Sequence, residues 1–218
     1  MCKNFPNCII SADTLLSFVA IVCSVIALWQ TYNQIKLSNR QHLFDRRLSA
    51  YLTILDLYES YRTQNEKYVL KEDCEFVFGI GAIWYSLVGN LYLESIQKAS
   101  DYPIESQQGK AFSIKMAEFN KMAEEINLLF PKRISTPLSA FILAYMQTVR
   151  AIYHYLLVWN SANQDPVLKT LSLQQKLKEI GEPHYRKEVN DALKKLDATY
   201  QIILKKNLVF KVKKYFRL

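Results

Sequence analysis

The hydrophobic pattern of the chain begins with one long uncharged stretch, which runs from Thr14 to Ile35. Its 22 residues, TLLSFVAIVCSVIALWQTYNQI, lie between Asp13 and Lys36. A helix of that length rises about 33 Å, which matches the hydrocarbon thickness of a bilayer. The stretch therefore predicts a transmembrane anchor. The anchor side chains are expected to be Leu15, Phe18, Val19, Val22, Val25, Ile26, Trp29 and Tyr32.

Two other interpretations of this stretch fit its residues less well. A buried core helix would carry a polar stripe, but only Ser17, Cys23 and Ser24 interrupt the apolar surface. A cleavable signal peptide would need a basic start and a small-residue cleavage site. The region before the stretch offers one base, Lys3, and one acid, Asp13, and no such site follows. We therefore expect the anchor to stay in the mature protein.

Basic residues on the two sides of the anchor predict its orientation. The N-terminal side offers only Lys3, so the positive-inside rule places residues 1–13 outside and the chain from residue 36 onwards in the cytoplasm. Arg46 and Arg47 are either contacts to the anionic inner leaflet or ordinary solvated arginines. The basic residues expected near that leaflet are Lys36, Arg40, Arg46 and Arg47.

A second uncharged segment, residues 76–93 (FVFGIGAIWYSLVGNLYL), leaves two interpretations open. It is long enough to cross the membrane again. Its three glycines lower the helix propensity, however, and a second crossing would export most of the basic residues of the chain. The alternative is a segment that is buried in the protein or lies along the membrane. The residues of interest in such a span are Gly79, Gly81, Trp84, Tyr85 and Gly89.

The remainder of residues 36–204 predicts a domain of amphipathic helices. The chain has five glycines and six prolines in 218 residues, so few and long elements are expected. Apolar residues recur at helical spacing from Phe44 to Tyr58, which predicts that the anchor helix continues without a break. Further helices are expected over 110–130, 136–160, 166–181 and up to residue 204. The predicted fold is all-α, with a transmembrane helix that continues into a cytosolic helical bundle.

The last segment, residues 205–218 (KKNLVFKVKKYFRL), combines bulky apolar side chains with basic ones and contains no acid. This composition suits adsorption to an anionic leaflet, or contact with nucleic acid through aromatic stacking. Alternatively, its lysines compensate the dipole at the end of a bundle helix. The basic residues of this tail are Lys205, Lys206, Lys211, Lys213, Lys214 and Arg217.

No catalytic or metal-binding motif stands out in the sequence. The formal net charge of +8 favours an anionic partner. Cys2, Cys8, Cys23 and Cys74 form no CxxC pair and the three histidines are isolated, so no metal site is expected. HExxH, GxSxG, Walker and dinucleotide-binding motifs do not occur. The sequence therefore predicts a protein that is not an enzyme, with no cofactor and no small-molecule substrate.

Three segments resemble parts of bacterial membrane-anchored helical proteins. The anchor ends in Trp29 and Gln30 and is followed by QIKLSNRQHLFDRRLSAY at 34–51, which looks like the Phe-Asp-basic-Arg helix of such proteins. NLYLESI at 90–96 is similar to an aromatic-x-Leu-Glu block, and LLFPKRI at 128–134 is similar to a Leu-Phe turn between two helices. Some proteins of this type resemble the transmembrane effectors of retron antiphage systems.

The resemblance implies a membrane-acting, toxin-like effector in the bacterial inner membrane. A protein or ribonucleoprotein partner, such as a reverse transcriptase with its RNA–DNA product, would hold it inactive. On release, the anchor and residues 76–93 would assemble, as a homo-oligomer, and make the lipid bilayer leak. The other hypothesis is a passive single-pass scaffold, whose helical domain recruits a cytosolic protein to the membrane.

Overall fold

The computed structural model describes residues 12–65 and 75–216, and all regular structure in these ranges is helical. The predicted all-α fold is therefore confirmed. Short 3-10 turns connect several of the helices. The α-helices of the described ranges are α1 (Ala12–Asn65), α2 (Glu75–Val88), α3 (Gln107–Leu129), α4 (Lys132–Gln164), α5 (Leu173–Glu179), α6 (Glu182–Lys206) and α7 (Leu208–Val212).

The chain divides into two compact units, which meet in sequence between Asp45 and Arg46. In the first unit, the described residues belong to the N-terminal part of α1, and every side chain from Thr14 to Leu43 is exposed. The second unit contains the C-terminal part of α1 and the other six helices, and we call it the bundle. Helix α1 is 54 residues long and runs through the whole predicted anchor, so the predicted continuation of that helix is confirmed.

Helix α4 forms the centre of the bundle. Its uncharged run from Ile134 to Val149 is apolar on nearly all sides, and a helix of that kind has to be buried. Tyr145, Val149 and Tyr153 are completely buried, and α2, α3, α6 and α7 all contact this helix. The core is therefore built around one helix instead of being shared equally.

The C-terminal part of α1 joins this core through large side chains. Ile54 and Leu57, three positions apart, are buried on one face of the helix. Tyr51 and Tyr58 of the predicted apolar stripe are buried as well, but its member Leu52 is exposed, so the buried face differs in part from the predicted one. The ring of Tyr58 stacks on that of Tyr200 in α6, with 5.0 Å between the ring centroids. Such aromatic pairs add about 0.5–1.5 kcal/mol to the gain from burial alone.

Helix α2 contains most of the second uncharged segment, and it is packed inside the bundle. Ile80, Trp84 and Leu87 are completely buried. The indole N–H of Trp84 donates a hydrogen bond of 2.8 Å to the main-chain oxygen of Gln97, which satisfies its one polar group. The helix is 14 residues long, about 21 Å, which is shorter than the hydrocarbon layer of about 30 Å. These contacts agree with the buried interpretation of residues 76–93.

The predicted start of the fourth helix at Thr136 and Pro137 is wrong, because α4 begins at Lys132. The N–H groups of Ile134 and Ser135 both bond to the main-chain oxygen of Pro131, at 2.8 and 2.9 Å, so the first turn forms before Thr136. Pro137 lies inside the helix. Its missing N–H removes a single hydrogen bond near the start of α4. The burial of the residues that follow outweighs the loss of this bond.

The single helix predicted over 166–181 is also wrong. Asp165 does act as a cap, since its carboxylate accepts the N–H groups of Val167 and Leu168 at 2.8 and 3.0 Å, but only a 3-10 turn follows. A new helix, α5, starts after Ser172, which forms a capping box with Gln175. Gly181 has a positive φ of 65°, which glycine adopts at little cost, and it separates α5 from α6.

The start of the basic tail belongs to the bundle. After a left-handed residue at Asn207, with φ of 50°, the chain forms α7 and then a 3-10 turn, Lys213–Phe216. Leu208, Val209 and Val212 are buried. These three side chains therefore point into the core, while Phe210 and the lysines of the segment are exposed. Two of the tail's basic residues, Lys205 and Lys206, lie in the last turn of α6, where cations oppose the negative end of the helix dipole.

Candidate membrane-binding site

The predicted anchor is an exposed apolar surface in the described structure. An 18-residue window of α1 has a mean hydropathy of 1.9, and none of it is buried. Phe18 is 67% exposed and Trp29 is 65% exposed, although both are among the most apolar side chain types. The other anchor side chains share this exposure, namely Leu15, Val19, Val22, Val25, Ile26 and Tyr32. This is the one helix of the described residues that is long and apolar enough to cross a membrane.

Hydroxyl groups in the anchor bond to the backbone of the same helix. The hydroxyl of Ser24 donates to the main-chain oxygen of Ala20 at 2.8 Å, and that of Thr31 donates to Ala27 at 2.9 Å. Polar groups in hydrocarbon need an internal partner, and these two groups have one. These two hydroxyl groups are therefore compatible with a lipid environment.

The basic residues after the anchor fall into two kinds. Lys36 and Arg40 are exposed. Arg46 is also exposed and pairs with Glu125 of α3 at 3.0 Å, a surface ion pair of the kind worth about 0–1 kcal/mol. Arg47 is half-buried and donates hydrogen bonds to the main-chain oxygens of Leu129 and Tyr215, at 3.2 and 3.4 Å. The guanidinium of Arg47 thus takes part in the packing of the bundle.

Among the residues discussed for a second span, Trp84 is completely buried in the bundle. Tyr85 is about half exposed, and Gly89 is exposed just beyond the end of α2. Gly79 and Gly81 are partly buried within the helix. The five residues do not form one continuous exposed surface, in contrast to the side chains of the anchor.

The tail residues are arranged on the outside of α6, α7 and the turn that follows. Arg217 lies outside the described residues. Lys213 lies over the ring of Phe210, with 5.3 Å from its Nζ to the ring centroid, and Phe210 itself is 63% exposed. The remaining lysines, all exposed, are Lys205, Lys206, Lys211 and Lys214.

The bundle interior contains a small network of charged and polar side chains around Glu182. Glu182 is buried and accepts hydrogen bonds from Tyr155 at 3.0 Å and from Arg186 at 2.8 Å. Burial, followed by the nearby Glu182, raises the pKa of Tyr155, so its hydroxyl keeps its proton. Burial, followed by Arg150, lowers the pKa of His154. The described part of the chain contains no group of three or more histidine, cysteine, aspartate or glutamate side chains that could hold a metal ion.

Sequence reasoning missed Arg133, a basic residue that lies beside lysines of the tail. It follows Pro131 in the segment LLFPKRI, and the structure places it beside Lys211 and Lys214 of the tail, in the lining of one cavity. The two segments are about 75 residues apart, and no periodicity connects them. The available signal was the Pro-Lys-Arg sequence itself, two cations at a helix start where acids are the usual choice.

Comparison of the chain with protein-family models, with curated proteins and with solved structures finds no match. The described structure by itself defines the class of this protein. It is a helical bundle, and its first helix carries an exposed apolar segment that is long enough to span a membrane.

Proposed function

We propose that this protein is a membrane-acting effector of a bacterial antiphage system, anchored in the inner membrane by α1 with residues 1–13 outside and the bundle in the cytoplasm. The observation that carries the proposal is the unburied apolar window of α1. Each large apolar side chain gains about 1.5–3 kcal/mol on leaving water, so the eight anchor side chains together favour the bilayer by more than about 10 kcal/mol.

Helix α1 is the acting segment in this proposal, because α2 is packed in the bundle core. A partner would bind the bundle and hold the protein inactive. Release would let several copies of α1 assemble and make the membrane leak. The motivation for this step is the resemblance of residues 34–51, 90–96 and 128–134 to membrane-anchored effectors, together with the absence of catalytic motifs in the sequence.

Induced expression in cells loaded with a membrane-potential dye tests the proposal. Val22→Arg places a charge in the middle of the anchor, and Leu91→Arg places the same charge on the bundle, at a side chain that is 88% exposed. We expect depolarisation with the natural chain and with Leu91→Arg, and none with Val22→Arg. Cells that remain polarised and viable, both on expression alone and during phage infection, would show that the protein is not a membrane toxin.

The inhibitory partner is proposed to be a reverse transcriptase bound to its RNA–DNA product. The support is the net charge of +8, which favours a polyanionic partner, and the resemblance to retron effectors. Co-expression of such a ribonucleoprotein with the effector should prevent depolarisation, and degradation of the nucleic acid should restore it. If depolarisation is the same with and without the ribonucleoprotein, this choice of partner is wrong.

The second candidate is a passive scaffold, and the burial of α2 favours it because one span is enough for a tether. Exchange of residues 1–35 for an unrelated single-span anchor separates the two functions. If the protein is a scaffold, it should still protect cells against phage after this exchange. An effector that acts through α1 should lose that activity while the protein stays in the membrane fraction.

A further inference from the structure

A cavity of about 350 Å³ lies where the first turn of α4 meets α7 and the turn that follows it. Its lining contains cations from two parts of the chain, the first turn of α4 and the basic tail. Among the residues that the structure describes, no acidic side chain lines it. The four cationic side chains of the lining are Arg133, Lys206, Lys211 and Lys214.

None of these four cations forms an ion pair with another described residue. The ion pairs of the described residues involve Arg46, Arg62, Lys115, His184 and Arg186, and none of the four. Like charges that share one cavity repel each other, and a bound anion removes that repulsion. The arrangement thus favours a negatively charged ligand.

The start of α4 adds further positive electrostatic potential at the cavity. Its first turn contains Lys132 and Arg133 and no acid, and the residue before it, Pro131, provides no side-chain cap. Cations at this end of a helix are unfavourable, because the helix dipole is positive there. The position of Arg133 therefore does not stabilise the isolated helix, and it fits an anion held between this turn and the tail.

The floor of the cavity is apolar. Ile134 and Leu208 line it, and both are 3% exposed. Tyr215 lines it as well, but its ring is half-buried against Phe130, with 6.3 Å between the centroids. It is therefore not a free platform for base stacking. A phosphate next to an apolar group matches this lining better than a nucleotide base does.

The cavity is linked to the anchor by a short stretch of chain. The main-chain oxygen of Tyr215 accepts a hydrogen bond from Arg47, and Arg47 follows Ile35 by twelve residues in the sequence. A chain tethered in this way meets bilayer lipids at a high local concentration. Basic pockets on the cytoplasmic side of membrane proteins are typical sites for anionic headgroups.

We propose that this cavity binds the phosphate headgroup of an anionic phospholipid of the cytoplasmic leaflet. Arg133, Lys206, Lys211 and Lys214 hold the phosphate, and the apolar floor receives the glycerol and the start of an acyl chain. The proposal rests on the proposed membrane anchoring. It adds a site that recognises a lipid class, where the anchor alone would not discriminate between lipids.

The test uses the full chain, purified in an uncharged detergent and labelled with a fluorescent dye. Binding is measured by thermophoresis with dioctanoyl phosphatidylglycerol, and dioctanoyl phosphatidylcholine is the zwitterionic control. The variant Arg133→Gln with Lys211→Gln removes two of the four cations. The variant Lys121→Gln with Lys169→Gln makes the same change in net charge at exposed lysines outside the cavity. Circular dichroism checks that both variants are folded.

We expect the cavity variant to bind phosphatidylglycerol about tenfold more weakly, since each basic side chain near a phosphate contributes measurably. The surface variant should change the affinity less than about twofold. Equal losses in the two variants, or equal affinity for the zwitterionic lipid, would contradict the proposal.

Two further ligands separate the sources of the phosphate. Glycerol 3-phosphate should bind much more weakly than the lipid, because it cannot use the apolar floor, and equal affinity would reassign the cavity to a soluble phosphate compound. A single-stranded RNA oligonucleotide that shows the larger loss in the cavity variant would reassign it to nucleic acid.

Alkaline carbonate extraction of cell membranes tests the anchor separately. A cavity variant that stays in the membrane pellet but loses lipid selectivity supports both proposals, whereas extraction of the natural chain contradicts only the anchoring.

Discussion

The guanidinium of Arg47 donates a hydrogen bond to the main-chain oxygen of Tyr215, a residue that lies 168 positions later in the chain. The same side chain donates to the main-chain oxygen of Leu129, the last residue of α3. One arginine thus connects the end of a helix with the turn after α7. Its neighbour Arg46 has no such role, because it forms an exposed ion pair with Glu125.

These adjacent arginines predict different effects on stability. Arg47→Ala removes two hydrogen bonds from a charged donor, and we expect a loss of about 1.5–3 kcal/mol in the free energy of unfolding. Arg46→Ala should cost at most about 1 kcal/mol. Urea unfolding of the detergent-solubilised chain, followed by far-ultraviolet circular dichroism, measures both. Equal losses would mean that the hydrogen bonds of Arg47 do not stabilise the bundle.

Two tyrosines of α4 provide a second matched pair. The hydroxyl of Tyr145 donates to the main-chain oxygen of Leu87 at 2.6 Å, whereas the buried hydroxyl of Tyr153 has no hydrogen-bond partner in the described structure. Tyr145→Phe should lower the free energy of unfolding by about 1 kcal/mol, a modest loss because Asn90 still donates to the oxygen of Leu87. Tyr153→Phe should leave stability unchanged or raise it by about 1 kcal/mol, because an unsatisfied buried hydroxyl is removed. The same unfolding measurement distinguishes the two, and a larger loss for Tyr153→Phe would contradict the assignment.

Buried tyrosines also predict how the bundle responds to alkali. Burial is the main cause that raises the pKa of Tyr145, Tyr155 and Tyr200 above the ordinary value of 10.0, and it raises that of Tyr92 to about 12. The unfolded chain then releases protons near pH 10 while the folded chain keeps them. The stability that these tyrosines contribute is therefore fully present below pH 10, and it is lost as the pH rises from 10 towards 12.

Denaturant unfolding at pH 9, 10 and 11 measures this loss. Tyr92→Phe removes one of the groups, so its stability should fall less steeply between pH 10 and 11 than that of the natural chain. A stability that stays constant up to pH 11 would be incompatible with protonated tyrosines in the core.

Membrane retention should depend on the anchor and not on the exposed leucines of the bundle. An arginine at the centre of a spanning helix costs about 2.5–3.5 kcal/mol on insertion scales, so Val22→Arg should move much of the protein out of the carbonate-resistant membrane pellet. Leu91→Arg, at a side chain that is 88% exposed, should leave the pellet fraction unchanged. Retention of Val22→Arg at the natural level would argue against a membrane-spanning α1.

The local pattern of apolar residues was sufficient to predict the fold class and the long first helix. Few glycines and prolines and a regular apolar spacing from Phe44 onwards already require long helices. The start of α4 was not predictable in this way, because a Thr-Pro pair is a usual helix start. In this chain the carbonyl of Pro131 accepts two N–H groups earlier, and the burial of the helix outweighs the bond lost at Pro137.

The environment of residues 76–93 and the basic cavity depend on long-range packing. An uncharged segment of that length suits either lipid or a protein core, and the side chains of other helices decide between them. Trp84 packs with Phe112 and Tyr153, from α3 and α4, at centroid distances of 6.3 and 6.2 Å. The cavity likewise requires α4 and the tail to meet, and neither segment shows this alone.

We propose a single membrane span, with residues 1–13 outside and the bundle in the cytoplasm. Labelling of single cysteines in spheroplasts with a membrane-impermeant maleimide tests it most directly, in a background without the other native cysteines. One variant keeps Cys2, and the other carries Tyr102→Cys at a side chain that is 42% exposed beyond α2. We expect Cys2 to react before lysis and the cysteine at position 102 to react only after lysis. Reaction at position 102 before lysis, or protection of Cys2 until lysis, would contradict it.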